Sequence, residues 1–247
     1  MPRSTPPSPS LSPSPSAPSR WDRRLAGVGL VLAMTALAMQ SVGLEHPSGV
    51  SCVFQKAVLC AEFPSSGAGL ATTLIGPPNT PPMWSLTTWL DMLLLLAYGA
   101  TLVLGARRLA GQTFTRLAQA TALTAVLGAL LDVVENALTL SALASAPAIT
   151  DQHATILSLI AGLKFTVLGL STVGLVALAW PAWRAHPIRN GLLTLGALAA
   201  LGGAGVGWFA ARAFELSGTG IALTLLALWT MGIAGLWRAR AARRLAL

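Results

Sequence analysis

Six apolar runs of about 20 residues each recur along the chain, and they constrain its fold more than any other feature. They cover residues 25–44, 85–106, 117–140, 156–180, 191–214 and 217–237. A helix of this length, at about 1.5 Å rise per residue, crosses a hydrocarbon core about 30 Å thick. The chain also lacks the alternating pattern of membrane strands, and unpaired backbone polar groups are costly in lipid. The sequence therefore predicts an all-α integral membrane protein, a bundle of about six transmembrane helices.

The composition agrees with exposure to lipid. Hydrophobic residues make up 54% of the 247, and charged residues only 10%. A soluble domain of this size cannot hide that much apolar surface in one core. The net charge of +8 does not indicate nucleic acid, because the basic residues cluster beside the apolar runs. We therefore expect the lipid bilayer, and not nucleic acid, as the main partner.

The distribution of Lys and Arg predicts the orientation of the bundle. Thirteen of the 16 lie before the first run, between the second and third, between the fourth and fifth, or after the sixth. Only Lys56 and Arg212 fall on the opposite side, and Lys164 falls inside a run. The positive-inside rule then places both termini in the cytoplasm. The same basic clusters are expected to attract anionic lipid headgroups at the cytoplasmic face.

The first run has a second interpretation, a cleaved secretory signal. An Arg-rich flank, an apolar stretch and Ala36-Leu37-Ala38 together match a signal with a small-residue cleavage site. The run continues to Leu44, however, and the region before it is unusually long, so a retained span is favoured. Cleavage would leave five spans with the new N-terminus outside.

Two segments lie outside the predicted spans. Residues 1–20 are almost all Pro and Ser and predict a disordered cytoplasmic tail, followed by a transmembrane domain at 21–247. The outer loop at 45–84 holds both cysteines, Cys52 and Cys60, whose proximity indicates one structural disulfide. A redox-active pair normally has C-x-x-C spacing, which does not occur. Within the loop, residues 67–76 are apolar but too short to cross, and they either lie on the membrane or dip back into the protein.

Five polar residues interrupt the apolar runs in the predicted outer half of the bilayer. They are Asp91 in the second run, Asp132, Glu135 and Asn136 in the third, and Lys164 in the fourth. The three in the third run share one helix face, at i, i+3, i+4 spacing. Charged groups inside a bilayer are costly and usually pair within the bundle. We expect these five residues to meet in one cluster and to serve in binding or proton exchange.

The imbalance of charge in this cluster suggests a function. One lysine cannot neutralise three acids, so at least one acid is expected to carry a proton near neutral pH. This arrangement predicts proton-linked transport or sensing of a small solute or ion. Asp132 and Glu135 would exchange protons, Asp91 and Asn136 would complete the site, and Lys164 would be the counter-ion. The alternative is a non-catalytic scaffold or subunit of a membrane complex, in which the same contacts hold helices together.

Signatures of an enzyme or a metal site do not occur in the sequence. H-E-x-x-H, G-x-S-x-G and Walker patterns are missing, and the three histidines, His46, His153 and His186, are scattered. A membrane-embedded hydrolase is therefore a third interpretation only, and no metal or cofactor is expected. The bias toward Ala, Leu and Arg indicates a bacterial cytoplasmic membrane. The sequence does not identify a protein partner or an oligomeric state.

Overall fold

This computed structural model describes residues 19–46, 52–111 and 113–245 of the chain, and in these residues it contains eight α-helices and no strand. They are α1 (Arg20–Val42), α2 (Ala57–Glu62), α3 (Gly67–Ile75), α4 (Pro81–Ala110), α5 (Thr115–Ser145), α6 (Asp151–Ala179), α7 (Pro187–Gly207) and α8 (Phe214–Leu245). Six of the eight are long and apolar enough to cross a membrane, which confirms the predicted helical class. Of the predicted tail at 1–20, all but the last two residues lie outside the described part.

Local sequence signals fix where several helices begin and end. Ser19 caps α1, because its Oγ accepts a hydrogen bond from the Asp22 N–H, and Thr150 caps α6 in the same way. α1 ends at Gly43, whose φ of 70° lies in the left-handed region that favours glycine. Prolines in the first turn begin α4 and α7, at positions where a backbone N–H has no helical partner.

The six long helices close into a ring in which each packs on two neighbours. The order around the ring is α1, α4, α5, α6, α7, α8 and back to α1. α4, α6 and α8 also meet across the centre, and their residues Leu102, Leu175 and Leu228 are fully buried in one continuous apolar core. α7 and α8 approach closely because of glycine: a Cβ at Gly203 or Gly220 would collide with the backbone of the opposite helix.

The outside of the ring is apolar, whereas charged groups lie inside it. Met34, Leu96 and Leu198 are 61%, 66% and 67% exposed, while Asp132 and Lys164 are buried. Soluble bundles show the opposite pattern, with apolar residues inside and polar residues outside. The bundle is therefore compatible with a membrane environment.

The two ends of the bundle differ in their connections. At one end, which we call the terminal end, α1 begins and α8 finishes. At the other, which we call the loop end, residues 43–80 lead from α1 to α4. At the terminal end, the Nε atom of Arg108 on α4 lies 2.9 Å from the carboxylate of Asp22, a buried residue of α1. This ion pair joins α1 to the rest of the bundle.

The segment between α1 and α4 folds back onto the bundle. A disulfide joins Cys52 and Cys60, whose Cα atoms lie 5.8 Å apart, so the predicted pair is bonded in the structure. Beyond it, α3 buries Leu70 and Leu74 completely, in contact with α4, α5 and α6. Of the two placements predicted for residues 67–76, the structure shows packing into the protein.

The predicted runs match the long helices in number and differ from them at the ends. Most helices extend beyond the run, because polar turns continue a helix without adding to its hydropathy. α7 differs most from its run, since it ends at Gly207 and not near residue 214. The Phe214 ring packs where a Cβ on Gly207 would lie, so the chain turns between these two residues and α8 begins.

Candidate functional site

Lys164, on α6, is the centre of a buried polar cluster nearer the loop end. Its Nζ atom donates to Asp132 at 3.2 Å and lies 2.8 Å from both carboxylate oxygens of Glu135. All three side chains are buried. Residues three apart on a helix share a face, which explains why both acids of α5 reach the same ammonium group. The structure thus brings together three of the five predicted residues by direct contact.

Glu62, the last residue of α2, is a further acid that sequence reasoning missed. Its carboxylate lies 3.3 Å from Lys164 Nζ, and its side chain is 12% exposed. Burial raises the pKa of the Glu62 carboxyl above its usual range, while Lys164 opposes this rise and Asp132 adds to it. The one signal for it in the sequence is a single acid in the apolar stretch AVLCAEF, which contains Cys60.

Two hydrogen bonds extend the cluster to α4. The Tyr98 hydroxyl donates to Asp132 at 2.6 Å, so this carboxylate is held by a phenol as well as by the lysine. Asn136 donates from Nδ2 to Asp91 at 2.8 Å. All five predicted residues therefore lie in one region, although Asp91 is bonded to Asn136 and not to Lys164. Tyr98 lies seven residues after Asp91 on the same helix face, so the spacing of polar residues in this run predicts its place beside the acids.

The cluster contains more acid than base. Three carboxyl groups, those of Glu62, Asp132 and Glu135, pair with one ammonium group, and a fourth, that of Asp91, accepts a hydrogen bond from Asn136. In the described part of the chain, Lys164 is the only basic residue that forms an ion pair with any of them. An ionised carboxylate away from water costs several kcal/mol unless it is paired. The excess negative charge therefore has to be offset by protons or by another small cation.

A small cavity of about 30 Å³ lies beside the cluster. Glu62, Asp91, Glu135 and Asn136 line it. Thr87 lines it too, and its buried hydroxyl makes no hydrogen bond to any described residue. The Oε2 atom of Glu62 is likewise buried and without a hydrogen-bond partner among the described residues. Buried polar atoms in proteins are normally paired, so these oxygens indicate a place for a small polar ligand or water.

The small cavity adjoins a larger one, of about 260 Å³, at the loop end. Met39, Val58 and Thr87 line both cavities. On the opposite side of the cluster the core is apolar, with Leu102 and Leu175 fully buried. The acids are therefore approached from the loop end, and apolar side chains separate them from the terminal end.

A second group at the loop end has residue types that bind metals. Ligand atoms of His46, Cys52 and Cys60 lie within 4.8 Å of one another. Cysteine binds a metal as a thiolate, but here the two sulfurs are bonded to each other. In this disulfide form the group is a structural cross-link and not a metal site. The other histidine at this end, His153, lies 3.0 Å from the Leu138 carbonyl oxygen and contributes no ligand to the cluster.

No known protein family, curated protein or solved structure matches this chain. The inference of function therefore depends on the chemistry of the residues around Lys164.

Proposed function

We propose that this is a multi-pass protein of a bacterial cytoplasmic membrane that exchanges protons at its buried acid cluster to transport or sense a small solute or ion. Six long apolar helices and an apolar outer surface support insertion in a membrane. The concentration of arginines at the terminal end supports a cytoplasmic location for both termini. The buried pair between Asp22 and Arg108 supports a retained first span, since cleavage would remove α1 from the ring.

The observation that carries the proposal is the excess of carboxyl groups around one ammonium. Lys164 joins α6 to α5 through Asp132 and Glu135, and to α2 through Glu62. Protonation of any of these acids weakens its attraction to the lysine. The local proton concentration then changes the balance between two packings of these helices, which is the physical basis of a proton-driven carrier or sensor.

The direct experiment is proton flux into oriented proteoliposomes, measured with an entrapped pH-sensitive dye. We expect the native chain to conduct or exchange protons and Glu135→Gln to abolish most of that flux. Glu45→Gln is the matched control, because Glu45 is an exposed acid at the same end of the bundle. Equal flux in the native chain and Glu135→Gln would contradict the proposal.

The second function supported by a specific contact is that of a scaffold or subunit of a membrane complex. The bonds of Lys164 link three helices, and polar contacts between membrane helices contribute about 0.6 kcal/mol on average to their association. A scaffold would retain a partner in fixed ratio during purification and would show no flux. The same proteoliposome assay therefore separates the two functions.

A further inference from the structure

We propose that the small cavity beside the cluster binds one monovalent cation of about sodium size through side-chain oxygens. The inference depends on the proposed function and makes it more specific, because it names the ion that competes with protons for the acid cluster, a small monovalent cation.

The size of the cavity excludes larger ligands. Its volume is about 30 Å³, and one water molecule needs about 10 to 15 Å³. One or two water-sized particles fit, and an organic solute does not. The exchanged species at this position is therefore a small ion, a proton carried on water, or water itself.

The lining of the cavity consists of oxygen ligands and apolar side chains. Glu62, Asp91, Glu135 and Asn136 supply carboxylate and amide oxygens, and none of the lining residues, all of them in the described part of the chain, is basic. Oxygen ligands of this kind suit hard cations. The cavity therefore suits a positive ion, because its lining offers oxygen ligands and the carboxyl groups nearby outnumber the one ammonium group.

Thr87 provides independent support for a ligand. The hydroxyls of Thr88, Thr101 and Thr121 each donate to the carbonyl four residues earlier in their own helix. Thr87 makes no such bond, although the residue is only 5% exposed and is one of those that line the cavity. A hydroxyl that makes no hydrogen bond within its own helix, on a residue that lines a cavity, is available as a cation ligand.

The position of Lys164 favours one positive charge over two. Its ammonium group lies 2.8 Å from Glu135 and 3.3 Å from Glu62, and both of these acids also line the cavity. A divalent ion at this place would be repelled by the lysine and would need six or more oxygen ligands to be well bound. A monovalent ion offsets the remaining charge with less repulsion.

The test is thermal unfolding of the purified full chain in detergent, with NaCl, KCl and N-methylglucamine chloride compared at equal ionic strength. We expect Na⁺ to raise Tm in a saturable way, with an apparent affinity that is weaker at about pH 6 than at about pH 8 because protons compete for the carboxylates. We expect Thr87→Val to weaken the apparent affinity for Na⁺ about tenfold, since it removes one ligand. Thr101→Val, on the same helix and outside the cavity, should leave the affinity unchanged.

The outcomes separate the cation site from the proposed function. Equal Tm in the three salts overturns the cation site, and flux that depends on Glu135 in sodium-free buffer then still upholds proton exchange. If Thr87→Val does not fold, Thr87→Ala serves in its place, because it also removes the hydroxyl and should weaken the response to Na⁺. Thr87→Ser keeps the hydroxyl and should keep the response. A full response in Thr87→Ala would also contradict the assignment.

We infer separately that a cavity of about 180 Å³ at the terminal end binds a phosphate group. Arg108, His186, Arg189 and Arg238 line it, and no acid of the described chain does. The Nη2 atom of Arg189, one of these lining residues, is buried and has no hydrogen-bond partner among the described residues. The same guanidinium donates from Nε to Asn190 at 2.8 Å, which holds it in place. Guanidinium groups fixed around a cavity are suited to phosphate oxygens.

The electrostatic setting agrees with an anion site. The pKa of the His186 imidazole is lowered by burial first, and then by the positive charges of Arg189, Arg238 and Arg108. Two sources of phosphate fit this position at the end of the bundle, a lipid headgroup and a free phosphate ion. Both present negatively charged phosphate oxygens, which accept hydrogen bonds from Arg189.

Thermal unfolding in mixed micelles tests this site. We expect phosphatidylglycerol, compared with phosphatidylcholine, to raise Tm of the native chain and not of Arg189→Gln. Arg184→Gln is the control, because Arg184 is an exposed arginine at the same end that does not line the cavity. A shift of similar size with inorganic phosphate assigns the site to the free ion, and a shift with the lipid alone assigns it to a headgroup. Equal shifts in Arg189→Gln and the native chain would exclude the site.

Discussion

The carboxylate of Glu62 lies 3.3 Å from the ammonium of Lys164, although Glu62 belongs to the segment between α1 and α4 and Lys164 to a long apolar helix. A residue of the connecting segment therefore completes the charge cluster inside the bundle. Movement of this segment changes both the charge around Lys164 and the wall of the adjoining cavity, because Glu62 contributes to both.

The first prediction concerns stability against pH in Glu62→Gln. Burial raises the pKa of the Glu62 carboxyl above 4.5. A carboxyl with a raised pKa in the folded state stabilises the fold at low pH, and this stabilisation is lost as pH rises through the folded-state pKa. The free energy of unfolding of the native chain should therefore fall relative to that of Glu62→Gln as pH increases, by about 1.4 kcal/mol for each unit of pKa difference.

Chemical or thermal unfolding of both chains across pH measures this difference. Glu45→Gln, which removes an exposed carboxyl from the same segment, is the control for the substitution itself. Parallel curves for Glu62→Gln and the native chain would show that Glu62 does not titrate in this way.

The second prediction compares Lys164→Met with the acid variants Asp132→Asn and Glu135→Gln. Removing the lysine leaves buried acids without a counter-charge and should cost about 3 to 5 kcal/mol of stability. Removing one acid from an acid-rich site should cost little or should stabilise the chain, as is common where charges are strained for function. Thermal unfolding of the three variants gives the comparison, with Lys56→Met as an exposed control. A similar large loss in all three would favour the scaffold function.

The third prediction concerns the phenol that contacts the cluster. Tyr98→Phe removes the 2.6 Å hydrogen bond to Asp132 and keeps the ring, so we expect a loss of about 1.5 to 3 kcal/mol. The phenol also holds the Asp132 carboxylate beside Lys164, so the proton flux of Tyr98→Phe should fall. The two measurements are unfolding and proton flux, and Thr101→Val is the control within the same helix. Native flux in Tyr98→Phe would place Asp132 outside the exchange step.

The fourth prediction links the disulfide to the cluster. Cys52 and Cys60 close a short loop directly before Glu62, so their bond restricts the segment that carries this acid. The double variant Cys52→Ser, Cys60→Ser should lose about 2 to 3 kcal/mol of stability. Its flux should also fall, because Glu62 is held less firmly beside Lys164. Dithiothreitol should reproduce both effects in the native chain and have none in the double variant. If the reduced protein kept the flux of the native chain, the disulfide would not be needed to hold Glu62 in the site.

Helical periodicity was sufficient to predict which polar residues meet within the long helices. Asp132, Glu135 and Asn136 share a face by spacing alone, and the cost of charge in lipid predicts that Lys164 faces them. The position of Glu62 could not be predicted in this way, because it depends on how residues 43–80 fold back onto the bundle. The spacing of polar and apolar residues within that segment does not determine how it packs. The early end of α7 was missed for a similar reason, since it depends on the packing of Phe214 against Gly207.

The apolar core beneath the cluster has the character of a hydrophobic gate. Leu102 lies eleven residues after Asp91 on α4, or about 16 Å further toward the terminal end. Together with Leu175 and Leu228 it fills the centre where three helices meet, and a constriction of this kind excludes ions by excluding water. A sensor can bind protons at the loop end without any water entering this core. Under the proposed transport function water has to enter it in every cycle, which requires α4, α6 and α8 to separate at their leucines.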